Sequence, residues 1–308
     1  MSAAGRPRWA AGGSANAIRV PDLEAIEEAV AGMPLQAARL TAHGGSVSVV
    51  SLEMRGLSVT IGSFDFPLAT YGQTSPGSVT AALPLTRGQG SWNGTELDPR
   101  SLWTYGPGAE HEGGATRPPT FAAITLPADE YELMHAGPRL VLRTGDEIAR
   151  LGRLLHATAT SVHRGAVGPR QLPMLERDVQ DALHEAVEGP AAEDPRLTSS
   201  ARIVGACVEL TRQHGPALPM TALSGLLEVS DRSIRAAFQR EYGLPPSAFF
   251  RSWRLHQAHR YLRLATRADT TVTDIAMNCG FWHLGRFSML YRQRFGELPS
   301  TTLYRQPS

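Results

Sequence analysis

The stretch "VSDRSIRAAFQREYG" (229–243) joins a short polar turn to an amphipathic run, and "GFWHLGRFSMLYRQRFG" (280–296) repeats that plan further along the chain. In the first copy Ser230 is placed to cap a helix by accepting a hydrogen bond from an early backbone N–H. Helical periodicity then turns Ile234, Ala237 and Phe238 inward and Arg232, Ser233, Arg235, Ala236 and Gln239 outward. Leu223, Leu226 and Leu227 give the short segment before the turn an apolar face of its own. Two short helices joined by a tight turn, the second presenting arginine, make a helix-turn-helix. The second helix of such a unit enters the major groove, where arginine can bond two acceptors on guanine.

The second copy follows the same order. "TVTDIAMNC" (271–279) predicts a support helix with Asp274 near its start, and "GFW" the turn. Phe287 and Tyr291 repeat the spacing of Ile234 and Phe238, leaving Gly285, Arg286, Ser288, Met289 and Arg292 on the other faces. "SAFFRSWRLHQAHRYLRLA" (247–265) predicts a long connecting helix. If it holds the units about one DNA turn apart, roughly 34 Å, both face one side of a duplex. Charge agrees with this reading. Residues 201–308 hold 14 arginines against 7 acidic residues, a net +7, whereas residues 1–200 hold 16 against 22, a net −6. A basic half joined to an acidic half predicts that only the basic half meets a polyanion.

The first half reads differently. Alternating segments at 46–54, 56–64, 78–85 and 120–127, separated by Gly-, Pro-, Asn- and Ser-rich turns, predict a small sandwich or barrel. Residues 1–20 lack a compact apolar core and are expected to be disordered rather than a secretion signal. Residues 21–38 begin with a helical look, and 21–144 form the β-rich regulatory domain. "DEIARLGRLLHATATSVHR" sets Ile148, Leu151, Leu154 and Leu155 on one helix face, fit either for the chain's own barrel or for a second chain. With the helix that follows "GAVGPR", it makes 145–187 a helical connector or dimerisation segment, and Pro-rich, acidic 188–200 a linker to the DNA-binding domain, 201–308. The fold class expected is α+β in two domains, a β-barrel or sandwich with flanking helices before an all-α double helix-turn-helix.

These residues resemble the AraC/XylS transcription regulators. The resemblance covers about a third of the chain, near residues 200–306, and rests on "LSGLLEVSDRSIRAAFQREYG", "RLHQAHRYL", "DIAMNCGF" and the terminal "FGELPS". The wording from Gly280 to Ser300 is similar to ethanolamine-utilisation regulators within that family. The resemblance implies a cupin-like N-terminal effector or dimerisation domain. It also implies base contacts from Arg232, Ser233, Arg235 and Gln239, with Arg286 and Met289 in the second unit. Leu284, Gly285 and Met289 stand where polar base contacts are expected, so the first unit would supply most discrimination and the second backbone and methyl contacts. Ser230, Arg240, Arg251, Arg254, His283 and Arg292 are the phosphate candidates, since phosphate contacts position a protein without specifying sequence. Ser224 replaces the family's common alanine and Glu228 its common glycine.

The remaining chemistry is sparse. Trp92, Trp103, Tyr105 and Phe121 are candidates for an effector pocket, because such pockets are mostly apolar. Trp282 is expected to pack in its turn, and His256 and His259 to be surface or capping residues. Cys207 and Cys279 have no CxxC partner and read as small buried hydrophobes. His111, Glu112 and the distant His43 are metal-ligand types, but their spacing predicts no site, so neither metal nor cofactor is expected. No nucleophile elbow, zinc-protease or phosphate-loop motif appears, and no enzyme is expected. The partners expected are double-stranded promoter DNA and an unidentified small molecule, with RNA polymerase and a second copy of the chain as further candidates and no membrane. The location expected is the bacterial cytoplasm, on the nucleoid when bound. A cupin-type metalloenzyme with a DNA-binding tail and an effector-independent architectural DNA binder stand as alternatives.

Overall fold

The computed structural model describes residues 13–20, 35–39, 45–75, 77–87, 90–93, 95–129, 140–188, 199–215, 218–265 and 270–304. The chain folds as two compact units, one holding most of the described residues up to 188 and the other those from 199 onward.

The first unit contains two antiparallel sheets. One has seven strands in the order β1 (Ser14–Val20), β3 (Val47–Glu53), β4 (Ser58–Phe64), β11 (Thr120–Pro127), β6 (Ser78–Pro84), β9 (Ser101–Tyr105) and β12 (Leu140–Thr144). The other runs β2 (Leu35–Arg39), β5 (Leu68–Gln73), β10 (Glu110–Ala115), β7 (Gly90–Trp92) and β8 (Thr95–Glu96). The four strands anticipated from alternation are β3, β4, β6 and β11, contiguous in the larger sheet and flanked by β1 on one side and by β9 and β12 on the other.

Register explains why these segments are so apolar. Val50 pairs with Ile61, Ile61 with Ala122, and Ala122 with Leu83, so one row of side chains crosses four strands on a single face. That row packs against two helices, α1 (Asp146–His163) and α2 (Leu172–Glu188), through Ile148, Leu151, Leu155, Val179 and Leu183. The opposite face carries Ala82, Trp103, Phe121 and Leu142 toward Trp92 and Ala115 of the smaller sheet. Strands covered on both faces lose the polar alternation of a solvated sheet. In β6 all seven residues are buried.

Two expectations change here, and a third, left open between two readings, is narrowed to one. Among the described residues neither sheet closes on itself, so the barrel is replaced by two open sheets and a helical layer. Residues 14–20, expected to be disordered, form strand β1, aligned residue by residue from Ser14↔Glu53 to Val20↔Val47. An edge strand is held by its backbone ladder, and "SANAIRV" needs little apolar side chain for that; residues 1–12 and 21–34 lie outside the described residues. The leucine face of α1, open to two readings, is occupied by the chain's own sheet.

The second unit is helical: α3 (Ser199–His214), α4 (Met220–Leu227), α5 (Asp231–Tyr242), α6 (Pro246–Leu264), α7 (Val272–Asn278), α8 (Leu284–Phe295) and α9 (Pro299–Tyr304). Residues 189–198 of the expected linker lie outside the described residues. Leu255, Ala258 and Leu262 of α6 join Ile275, Ala276, Phe287, Tyr291 and Leu303 in one core. No helix among the described residues is long and apolar enough to cross a membrane.

Candidate nucleic-acid interface

Helices α4 and α5 meet at a turn whose geometry is set residue by residue. Glu228 ends α4 in the left-handed region, φ 53°, and its N–H bonds back to the Ser224 carbonyl. The chain becomes extended at Ser230, whose Oγ accepts the Ser233 N–H at 3.1 Å and also bonds the Ser233 hydroxyl at 2.9 Å. Ser230 is therefore the N-cap of α5, and Gly243, φ 67°, is its left-handed stop. Ile234, Ala237 and Phe238 are buried, while Arg232, Ser233, Arg235, Ala236, Gln239 and Arg240 are exposed. Leu226 is exposed rather than packed; Leu223 alone of the three leucines is fully buried, because one short helix turns only a narrow stripe inward.

Helices α7 and α8 repeat the device with different chemistry. Thr271 and Asp274 form a reciprocal capping box at the start of α7, each side chain accepting the other residue's N–H at 3.1 Å. Gly280, φ 79°, makes the left-handed turn, and Gly296, φ 77°, ends α8 as Gly243 ends α5. Phe287 and Tyr291 are buried in the places of Ile234 and Phe238. Superposing the repeats by these residues puts Gly285 where α5 has Arg232, Arg286 where it has Ser233, Ser288 where it has Arg235, Met289 where it has Ala236, and Arg292 where it has Gln239. Gly285, Arg286, Met289 and Arg292 are exposed. His283 is the N-cap of α8, exposed and making no side-chain cap.

The guanidinium groups fall into two sets. Arg232, Arg235, Arg240, Arg251, Arg286 and Arg292 are exposed and have neither a hydrogen-bond nor an ion-pair partner among the described residues. Arg254 instead turns inward: its Nη2 donates to the Leu218 carbonyl at 3.3 Å, and its Nε is buried without a partner. Burial holds its pKa below the usual arginine value.

Two histidines of α6 depart from the surface role expected. His259 is buried, stacks on Phe295 with ring centroids 4.2 Å apart, and is hydrogen-bonded through Nδ1 to the Tyr291 hydroxyl. Tyr291 donates to Thr302 Oγ1 at 2.8 Å, and Thr302 donates to Glu297 Oε1 at 2.7 Å. His256 accepts from the Arg294 Nε at 3.3 Å. Their signal was present in the sequence, since His259 follows Leu255 by four residues and precedes Leu262 by three on the apolar stripe. Trp282, expected to pack in the turn, is 66% exposed; Phe281 beside it takes the inward place, its ring 5.0 Å from that of Phe287. Cys207 and Cys279 are buried, and burial pushes both thiols up to about 12.

In the first unit, Trp92, Trp103 and Phe121 line a cavity of about 50 Å³ between the sheets, with Thr60, Gly62, Ala82 and Ala123 supplying the small side chains that leave it open. Tyr105 is not in this lining; it lies buried, its oxygen accepting from the Trp92 indole and from Asn93 Nδ2 at 2.6 Å. The Trp103 indole N–H is buried without a partner. So are both ring nitrogens of His111, which stacks on Trp92 with centroids 5.7 Å apart. Glu112 is half-buried beside it and His43 lies outside the described residues; among those described, no group of three or more His, Cys, Asp or Glu could hold a metal ion.

Residues 223–305 match the family model described as a helix-turn-helix domain. Over 86 residues, 28% of its length, the chain is 36% identical to the XylDLEGF operon transcriptional activator 2 of Pseudomonas putida, covering 55% of that protein. Over 79 residues, 26% of its length, it is 39% identical to a probable thc operon regulatory protein of Rhodococcus erythropolis, covering 24% of that protein. A crystal structure of a probable AraC family transcriptional regulator from Rhodopseudomonas palustris is 40% identical, covering 35% of this chain and 99% of that one, with a TM-score of 0.31. The chain thus spans about half or less of the length of the curated relatives it matches.

Proposed function

We propose that the chain is a sequence-specific DNA-binding transcriptional regulator of the AraC/XylS type, a reading supported by the helix-turn-helix match over residues 223–305 and by the likeness to the XylDLEGF operon activator. The observation that carries this reading is the outward face of α5, where Arg232 and Arg235 stand exposed and unneutralised beside Ser233 and Gln239. Unpaired guanidinium groups on a helix that follows a tight turn fit the donor-and-acceptor pattern of the major groove. In this reading Arg232, Ser233, Arg235 and Gln239 meet base edges, with Arg286 and Met289 from α8. Ser230, Arg240, Arg251, His283 and Arg292 meet the backbone. Arg254, held by the Leu218 carbonyl, instead ties α6 to the loop before α4.

The reading extends to the first unit, which takes the sensing role. The cavity lined by Trp92, Trp103 and Phe121, about 50 Å³, has room for little more than a water-sized group, so a largely apolar effector would have to widen it on entering. A ligand there shifts DNA occupancy only by its difference in affinity between the two states of the protein.

The test is selection of bound duplexes from a random pool by the intact chain at physiological salt. A regulator enriches a defined sequence by a factor on the order of 10³ or more over bulk DNA. Steep salt dependence with no enrichment would make the chain an architectural binder and sink the proposal.

A further inference from the structure

The second recognition helix presents a face that the first does not. On α8 the positions opposite the buried pair Phe287 and Tyr291 are Gly285 and Met289, one helical turn apart, with Arg286 and Arg292 on either flank. Met289 is 60% exposed. In α5 the same two places hold Arg232 and Ala236.

Gly285 is unexplained by the fold. It is the second residue of the helix, its φ is not in the left-handed region, and a Cβ built there meets nothing within 4 Å. Alanine would fit that space and strengthen the helix, because glycine loses more backbone entropy on ordering. A residue that weakens its own helix and packs on nothing is best accounted for by close approach of another molecule's surface to the backbone. Beside it the methionine thioether is flexible and polarizable, suited to an apolar surface that is small and slightly variable in position. The apolar feature of the major groove is the thymine C5-methyl, and each of the other base edges there is a donor or acceptor pattern.

We infer that Gly285 and Met289 form an apolar notch on α8 that reads thymine methyl groups, so that the two helix-turn-helix units recognise chemically different half-sites. The first helix-turn-helix selects hydrogen-bonding edges through arginine. The second selects methyls, with Arg286 and Arg292 anchoring the notch from its flanks. This inference rests on the regulator reading above.

The experiment uses the full chain and the duplex enriched from the random pool. Thymines of the site are replaced one at a time by deoxyuracil, which removes the methyl and leaves every hydrogen-bonding group in place. At one or two thymines the wild-type chain should lose about fourfold in affinity, the factor expected for burying one methyl-sized group. Met289→Ala should lose a similar factor on the thymine duplex and nothing further on the uracil duplex. Gly285→Ala should raise or preserve the melting temperature while weakening binding, a pair of opposite signs that a purely structural glycine would not give. Uracil substitutions without effect, or a Met289→Ala loss equal on both duplexes, would overturn the inference and leave the regulator reading intact. Failure to enrich any duplex would remove both. Unchanged DNA binding by Met289→Ala with impaired transcription would make this face a protein-docking surface and overturn the inference as well.

Discussion

His259 of α6 and Tyr291 of α8 are joined side chain to side chain within the core of the second helix-turn-helix. Because Tyr291 donates onward to Thr302 and Thr302 to Glu297, the Tyr291 oxygen is left to accept, and His259 carries its proton on Nδ1. One polar chain thus ties the recognition helix to α6 on one side and to the Thr302 turn of α9 on the other. Tyr291→Phe keeps the aromatic contacts with Phe287 and Phe295 but strands the His259 N–H in the interior. The expected cost is about 1–3 kcal/mol. Hydrogen exchange at the α8 amides reads it directly: protection should fall there and hold in α5. Equal loss in both helices would show that the chain of bonds acts on the whole domain.

The turn between α4 and α5 carries a second expectation. Glu228 sits at φ 53° where a side chain is strained, and it is exposed, so it has no packing to offset that strain. Glu228→Gly should stabilise the domain by about 1 kcal/mol, the penalty an L-residue carries in the left-handed region. Ser230→Ala should destabilise it by about 1 kcal/mol through loss of the N-cap. Thermal unfolding of the two variants against the parent checks both signs; a neutral Glu228→Gly would mean that the turn relaxes around glutamate at no cost.

Much of this domain could be read beforehand because its determinants are local. Ser230, Gly243 and Gly296 mark helix ends through chemistry that acts within a few residues, and Ile234 and Phe238 fix the inward face by spacing alone. The central strands were legible for a similar reason, since turn residues bracket the apolar segments that form β3, β4, β6 and β11, although burial on both faces blunts their alternation. What failed to show were relations between distant segments. Whether a sheet closes depends on which edges meet, and no property of β1 or β12 taken singly declares that each is an edge. The sequence does not place His259 inside, because a histidine on an apolar stripe is tolerable at the surface unless a hydroxyl satisfies it in the core. Trp282 is not distinguished by sequence from Phe281, since both are large aromatics in one turn and only the packing decides which faces inward.

Arg235 and Arg240 share α5 and differ in what they are expected to touch. Arg235→Ala should cost about 1–3 kcal/mol at one base position and relax preference there. Arg240→Ala should weaken binding by a similar factor on every sequence and reduce the slope of log affinity against log salt by about 1. Titrating each variant against the selected site and its single-base relatives at several salt concentrations separates the two. A uniform loss for Arg235→Ala would make it a backbone contact, leaving base selection by α5 to Arg232 and Gln239.

The first unit should be acid-sensitive through His111. Its imidazole is 1% exposed, stacks on Trp92, meets the Tyr105 ring edge-on and has no hydrogen-bond partner at either nitrogen. Burial lowers its pKa from 6.5 to about 3. Above pH 6.5 the ring is neutral in both folded and unfolded chains, so His111 contributes no pH dependence. Below that value the unfolded chain takes up a proton that the folded chain refuses until about pH 3, and the balance moves toward unfolding. Stability of this unit should therefore fall as pH drops below 6.5, with a slope approaching about 1.4 kcal/mol per pH unit from this residue. His111→Phe retains an aromatic ring against Trp92 and removes the titrating group, so its stability should be flatter over the same range and should exceed that of the parent at pH 5. Denaturant unfolding at pH 7.5, 6.5, 5.5 and 5 measures both curves. Parallel curves for the two proteins would show that His111 is protonated in the folded chain, which requires an acceptor beside it.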